Sequence, residues 1–564
     1  MNRRDFLTAT LTGAAALAVP RFAHAQGRKP NVILVMTDDQ GYGDIAAHGN
    51  PDISTPNLDW LHAHSTRLTD FHVDPTCSPT RSALVTGRYS TRTGVWHTIM
   101  GRSMLHKKET TFADVFAASG YATGMFGKWH LGDNYPFRPE DRGFQEVLRN
   151  GGGGVGQTPD FWGNNYFDDT YWHNGVTKPF KGYCTDVWFD GAMAFMEANK
   201  SKPFFAYIPT NAPHGPYLVA EKFSKPYEAK GIKGSRAKFY GMCTNIDWNM
   251  GRLHAKIKEL GVEDDTILIF MTDNGTSAGH AGGMRGRKGS EYEGGHRVPF
   301  FIRWPGGKIE EGRNIGTLSA HIDVLPTLIE LCGLKKPDVA FDGSSLAPLL
   351  KGEAAPTDRT LFVHSQRIEH PQKWRKSAVM TQKWRLVNGK ELYDIQADPA
   401  QKTDVAAAHA DVVEKLRKEY DAWWESLTPE FGKYCNIILG AEQEPVARLT
   451  AHDWHEGNPP WNQGHIRNPK QGGNGFWAVE IAKAGTYAFT LTRQPLEAKG
   501  DILATKARLK LGDVEVSKDI PAGATSITLE AKLPACPAKL HTYLTDPKSK
   551  KERGAFFVYV EKKR

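Results

Sequence analysis

Short runs of apolar residues recur through the first half of the chain, and helix-length amphipathic stretches separate them. Residues 32–36, 204–208 and 267–271 are each continuously apolar or aromatic, without the polar alternation of a half-exposed strand. Such runs read as strands buried on both faces. Between the last two, residues 237–260 space their apolar side chains along one face of a helix. Strands alternating with helices predict an α/β fold, a large and mainly parallel sheet sandwiched by helices. Ligands in such sheets bind beyond the carboxyl ends of the strands. The first run leads into Thr37-Asp38-Asp39 and the third into Thr272-Asp273-Asn274, so both acidic pairs are expected at that edge.

The texture changes near Thr360. Residues 361–363, 378–380 and 384–387 read as short strands, the last followed by Asn388-Gly389, a strong hairpin signal. A helix is expected over residues 408–427. After Gly432, strict alternation sets in at Trp477, Val479 and Ile481, then, beyond a turn at residues 483–485, at Tyr487, Phe489 and Leu491. That pattern reads as an all-β module, a small sandwich. Four segments follow: 1–25, an export signal; 26–355, the α/β domain; 356–432, a small antiparallel C-terminal subdomain; and 433–564, a β-sandwich-like accessory module. The 564 residues, 40% hydrophobic and 24% charged, suit a globular chain with one large core and satellites.

Arg3-Arg4-Asp5-Phe6-Leu7 precedes an Ala- and Leu-rich run to Val19 and the small-x-small site Ala23-His24-Ala25. This is a signal peptide of the twin-arginine type, which implies the twin-arginine export machinery as a partner and a periplasmic or secreted destination. The apolar run is too short to span a bilayer, and no later run reaches the required length, so no membrane span is expected. Removing residues 1–25 takes three arginines and one aspartate, leaving +6 of the formal +8. That mild excess agrees with an anionic substrate, and without a Lys/Arg block nucleic acid is not an expected partner. Six cysteines without a Cys-x-x-Cys pair indicate neither a disulfide scaffold nor a zinc site.

Chemistry concentrates at Cys77-Ser78-Pro79-Thr80-Arg81, followed by residues 82–88. The proline and the helix formers after it place Cys77 at or just before a helix N-terminus, where unpaired N–H groups favour an anion. A cysteine there is ordinarily a small packed hydrophobe. An Asp-Asp pair after a strand is ordinarily a solvated turn, although a second acidic-amide pair narrows that preference.

Cys-x-Pro-x-Arg with the following Thr86-Gly87-Arg88 resembles the signature of type I sulfatases, in the alkaline phosphatase-like superfamily. Further pieces agree in order: residues 31–44, Gly127-Lys128-Trp129-His130-Leu131-Gly132, Ala212-Pro213-His214, residues 272–275, Lys288 with residues 293–299, residues 322–327 and residues 384–404. The resemblance spans about residues 30–430. It implies that a formylglycine-generating maturase oxidises Cys77 to formylglycine (3-oxoalanine). It also implies that Asp38, Asp39, Asp273, Asn274 and residue 77 hold one divalent cation, Ca²⁺ or else Mg²⁺ or Mn²⁺. Oxygen-rich ligation of this kind suits a hard cation.

The expected reaction is hydrolysis of a sulfate ester to alcohol and inorganic sulfate through a formylglycine-sulfate hemiacetal, the second geminal hydroxyl expelling sulfate. Arg81 would hold the hydrate and sulfate, and Lys128 and Lys288 would neutralise sulfate oxygens. His214 would serve the leaving oxygen and His130 the hydrate. His72 and His97 are expected to line the substrate pocket, as are Gly151 to Gly154 and the aromatic stretch 161–172. His296 occupies a position where an aliphatic residue is more usual in the family. Sulfated carbohydrates are the expected substrates, with aryl sulfates as artificial ones. Two alternatives remain: a formylglycine-dependent phosphonate or phosphodiester hydrolase, and an inactive glycan-binding protein using Trp454, Trp461 or Trp477.

Overall fold

The computed structural model describes residues 29–353 and 358–563. The expected export signal, and the boundary between residues 355 and 356, lie outside the described residues.

Ten strands form one sheet, in the order Asn314–Ile315, Thr66–Leu68, Phe300–Arg303, Thr266–Thr272, Asn31–Thr37, Phe204–Pro209, Ala122–Gly127, Glu146–Arg149, Thr170–His173, Val176–Pro179. The middle five, from Thr266–Thr272 to Glu146–Arg149, run parallel, and antiparallel pairing begins at Phe300–Arg303 on one side and Thr170–His173 on the other. The strand Asn31–Thr37 has every residue buried. Its side chains divide between two cores, Val32, Leu34 and Met36 on one face and Ile33 and Val35 on the other. The first core is closed by residues of the helices Cys77–Thr86, Phe112–Ala118 and Val324–Cys332, the second by Cys184–Asn199 and Gly234–Glu259. A strand covered on both faces has no room for polar alternation, which is why its sequence reads as one apolar run.

The small subdomain is a four-stranded antiparallel sheet, Leu361–His364, Ser377–Met380, Trp384–Val387 and Glu391–Asp394. Asn388 and Gly389 both have positive φ, 53° and 64°, as the central residues of a type I′ turn require, and the Lys390 N–H closes that turn on the Val387 carbonyl at 2.9 Å. The helix Ala410–Leu427 lays Leu416, Tyr420, Trp423 and Trp424 on Val379, Leu386 and Leu392 of this sheet.

The third region holds a six-stranded and a four-stranded sheet around one core. The strands Phe476–Ile481 and Gly485–Thr492, joined by the short turn read from the sequence, belong to different sheets. That core also takes in Met104 and Phe137 of the α/β domain. All six cysteines are free. Among the described residues, no helix is long and apolar enough to cross a membrane.

Candidate active site

Register brings the strand ends level. Thr37 lies opposite Thr272, and Met36 opposite Pro209. Asp38-Asp39, Asp273-Asn274, the segment from Thr210 to His214 and Lys128 therefore leave the sheet at one edge. Asp39 and His130 turn out of their strands with positive φ, 71° and 62°. Such strain costs about 1–3 kcal/mol per residue and persists only where the surroundings impose it.

The helix Cys77–Thr86 is capped by an extended Thr76, and all ten of its residues are buried. Pro79 falls in the first turn, where a missing N–H costs nothing. Arg81 follows Cys77 by four residues and so shares its face. The Arg81 guanidinium donates to Asp273 Oδ2 at 2.8 Å and to the Lys128 carbonyl at 2.8 Å. Lys128 Nζ lies 2.6 Å from Asp38 Oδ2, with both side chains fully buried. Cys77 Sγ stands 3.4 Å from Asp38 Oδ1 and 3.5 Å from Lys288 Nζ, and Lys288 reaches Asp39 Oδ1 at 2.5 Å.

Asp38, Asp39, Cys77 and Asp273 each direct one ligand atom to a common point, all within 4.8 Å of one another. Asn274 Nδ2 donates to Asp39 Oδ1 at 2.9 Å and to the Gly275 carbonyl at 2.9 Å. Its Oδ1 is buried without a hydrogen-bond partner. An orphaned amide oxygen beside three carboxylates is costly unless a cation faces it. Three carboxylates and an amide oxygen fit a hard divalent ion.

Electrostatics divide these groups sharply. Burial and then the Asp38 charge push the Asp273 carboxyl up to about 6. Burial also acts on Asp39, but Lys288 and His214 outweigh it and hold that group below the usual carboxylate range. Burial and Asp38 push the Cys77 thiol up to about 12, so the unmodified side chain is no thiolate nucleophile at neutral pH.

Both histidines are held neutral. Burial and Lys288 bring His214 down to about 4, and burial and Lys128 bring His130 well below its ordinary value. His214 Nδ1 lies 2.6 Å from the Gly215 carbonyl, and His130 Nε2 lies 2.9 Å from the Thr98 carbonyl. A carbonyl only accepts, so those nitrogens carry the protons. His214 Nε2, 3.9 Å from Asp39 Oδ2, and His130 Nδ1, buried without a partner, keep free lone pairs.

A cavity of about 110 Å³ opens above the group, floored by Thr76, Cys77, His130, His214 and Lys288. Its rim includes Thr98, Ile99, Gly153, Gln157, Arg367 and Trp461. The glycine-rich run is explained at Gly153, where a Cβ would sit 2.2 Å from His130 Cε1. In the aromatic stretch, the Tyr166 hydroxyl donates to the His214 carbonyl at 3.1 Å.

Two expected pocket residues do not line this cavity. His72 is fully buried on the strand Phe71–His72, with Nδ1 2.9 Å from His296 Nδ1 and Nε2 2.9 Å from Asp70 Oδ1. His97 is buried under the rim, its Nδ1 accepting from the N–H groups of Thr98 at 2.7 Å and Ile99 at 3.2 Å, so it shapes the loop whose next two residues do line it. His72, His296 and Glu293 also gather within 4.8 Å, but the Arg385 guanidinium already supplies a cation there, 2.7 Å from Glu293. Trp454 and Trp477 are fully buried in the third region's core and offer no sugar platform, whereas Trp461 is 40% exposed. Ile99, Gln157 and Arg367 carried no sequence signal, because each reaches the rim from a loop with no motif.

An acidic pocket at the carboxyl edge of a large, mostly parallel sheet, with a small antiparallel subdomain beside it, is the alkaline phosphatase-like architecture. The Sulfatase family model matches residues 30–334, and the model for the C-terminal part of N-sulphoglucosamine sulphohydrolase matches residues 287–425. Human arylsulfatase A is 33% identical over 427 residues, 69% of this chain and 79% of that protein. The crystal structure of Ps i-CgsB in complex with k-i-k-neocarrahexaose superposes with a TM-score of 0.64 at 28% identity, over 70% of this chain and 93% of that one. Phosphonate monoester hydrolase of Agrobacterium radiobacter shares the fold, with a TM-score of 0.54 at 22% identity, over 72% of this chain and 96% of that one. The chain belongs to the sulfatase family. It is a hydrolase of sulfate esters, and the family models end at residue 425, short of the third region.

Proposed function

We propose that this chain is an exported sulfatase acting on sulfated carbohydrates, with small aryl sulfates as artificial substrates, and that its active form carries formylglycine at position 77 and one Ca²⁺. The observation that carries the reading is the convergence of Cys77, three carboxylates and the orphaned Asn274 oxygen beneath one cavity. A raised thiol pKa supports conversion of Cys77, since an unmodified thiol there is a poor nucleophile. The Ps i-CgsB complex with k-i-k-neocarrahexaose supports an oligosaccharide substrate.

Asp38, Asp39, Asp273 and Asn274 would hold the cation, with residue 77 completing its shell. Formylglycine at position 77 would supply, as its hydrate, an oxygen nucleophile and a second ionisable hydroxyl. Arg81, locked onto Asp273 and the Lys128 carbonyl, orients the side chain at position 77. Lys128 and Lys288 offset charge on the sulfate oxygens. His130, with a free Nδ1, would accept a proton from a hydroxyl at position 77, and the Lys288 ammonium, with His214 beside it in the same cavity, would donate the proton that the leaving oxygen needs. The leader at residues 1–25 would deliver the folded, already modified enzyme through the twin-arginine route to the periplasm or beyond.

Mass spectrometry of the Cys77 peptide from the native host should find the aldehyde; an unmodified thiol in active protein would refute the mechanism. A parallel assay on 4-nitrophenyl sulfate, a panel of sulfated sugars and phenylphosphonate esters should give the highest kcat/KM on a sulfate ester. A phosphonate preference would transfer the chain to the alternative reading.

A further inference from the structure

We propose that Trp461 of the accessory module and Arg367 of the small subdomain form a subsite for the sugar next to the sulfated one, so that the third region is part of the substrate site and multiply anionic oligosaccharides are preferred. This rests on the sulfatase reading above. The cavity over Cys77, at about 110 Å³, is well below the roughly 300–1,000 Å³ that encloses a drug-sized ligand. It admits the sulfate end of a substrate and leaves the rest of a sugar chain against the rim. Two rim side chains have the chemistry to receive it.

Trp461 is a large aromatic left 40% exposed. Its backbone is nonetheless clamped to the glycine-rich loop of the α/β domain. The Trp461 carbonyl accepts from Thr158 N at 3.1 Å, Gln463 N donates to the Gly156 carbonyl at 3.1 Å, and Gly163 N donates to Gln463 Oε1 at 3.0 Å. Asn462 bridges to Gln157, itself on the rim. A tethered backbone with an exposed indole is a preformed stacking surface rather than a loose loop residue.

Arg367 is exposed and, among the described residues, makes no ion pair; its nearby acid, Glu369, is already paired with Arg102 and His455. Its backbone is fixed by a hydrogen bond to the Trp96 carbonyl at 3.1 Å and a positive φ of 42°. No Asp or Glu is among the residues lining this cavity. An aromatic face beside an uncompensated guanidinium selects a ring that carries an anionic group, a second sulfate or a carboxylate.

The test measures kcat/KM on 4-nitrophenyl sulfate and on a panel of sulfated oligosaccharides, k-i-k-neocarrahexaose and chondroitin and heparan sulfate oligosaccharides, for wild type, Trp461→Ala, Trp461→Phe and Arg367→Gln. Expected in Trp461→Ala is a fall of tenfold or more in the ratio of oligosaccharide to aryl-sulfate kcat/KM, carried by KM, with Trp461→Phe recovering most of it. Arg367→Gln should lower the same ratio most for sugars bearing two anionic groups. Ratios within twofold of wild type in both Trp461→Ala and Arg367→Gln would overturn the subsite, as would a wild type that hydrolyses aryl sulfate and none of the oligosaccharides. If Trp461→Ala melts early, Trp461→Leu, which keeps apolar bulk without a ring face, takes its place with the same tenfold fall expected. A wild type active only on phosphonate esters would sink the underlying reading and the subsite with it.

Discussion

Asp273 divides its two oxygens between the Asp39 N–H at 3.1 Å and the Arg81 guanidinium at 2.8 Å, so a single carboxylate ties both strand ends to the Cys77 helix. Three carboxylates packed this closely repel, and a divalent cation relieves them. Calcium at a hundredfold excess over its Kd is expected to stabilise the fold by about 2.7 kcal/mol. Calorimetry with calcium against EDTA should show the increment, and Asp273→Asn should abolish most of it; an equal increment in the variant would place the ion elsewhere. The glycine facing His130 gives a second residue-level test. Gly153→Ala brings a Cβ to 2.2 Å from the imidazole, and the ring must shift. A displacement near 1 Å at a catalytic group costs about 10²-fold. A fall of that order in kcat, with KM nearly unchanged, is expected from steady-state kinetics, whereas wild-type turnover would remove His130 from the reaction. These residues were legible because each acidic pair, lysine and histidine follows a recognisable strand or signature, and register does the rest.

Elements were equally legible where local chemistry dictates them. The apolar run at residues 32–36 grew by one residue at each end, and Asn388-Gly389 forms the turn its backbone freedom favours. The sequence could not reveal how the small sheet is fastened. Arg385, on the strand Trp384–Val387, donates to Glu293 at 2.7 Å and to Asp70 at 2.9 Å, and all three side chains are buried. That network, two domains wide, also explains why His72 is occupied by Asp70 rather than by substrate. Removing one partner of a buried pair costs about 3–5 kcal/mol, so Arg385→Met should lower Tm markedly. Burial alone would raise Glu293, but Arg385 and His72 outweigh it and hold the carboxyl at about 2 against an ordinary 4.5. Its contribution is therefore complete above pH 4.5 and is lost as the pH falls toward 2. Without Arg385, burial dominates, the folded pKa rises above its unfolded value, and stability should instead increase as the pH falls from 7 toward 5. Across that range the Glu293 contribution in the wild type is flat, so only the variant should gain Tm as the pH falls, and parallel profiles would show that the ion pair is energetically silent.

At the scale of the whole molecule, the alternation after Gly432 indicated an all-β module, which the structure shows as two sheets around one core, but nothing in that pattern could place the module beside the cavity. Trp461 reaches the cavity only because residues 460–463 bond to a loop some three hundred residues earlier, and no local pattern encodes that docking. The same pattern did hold the answer for Trp477, whose alternation with Val479 and Ile481 already marked it as a core side chain. Charge adds a consequence visible only globally. Residues 26–432 hold 48 Lys and Arg against 48 Asp and Glu, while residues 433–564 hold 20 against 14. The entire positive excess of the chain beyond residue 25 thus lies in the module that also carries Trp461. A field of that kind draws a polyanion toward the rim, and salt screens it with a Debye length near 10 Å at 0.1 M. An oligosaccharide bearing several sulfates samples the whole module, whereas 4-nitrophenyl sulfate, with one charge, meets Lys288 at the cavity floor, with Lys128 and Arg81 buried beneath it, where screening is weak. Raising NaCl from about 0.05 to about 0.5 M should therefore increase KM for the oligosaccharide several-fold more than KM for the aryl sulfate, with kcat little changed for either. Equal salt slopes for the two substrates would mean that the module's charge takes no part in substrate capture, and that its contribution ends at the rim.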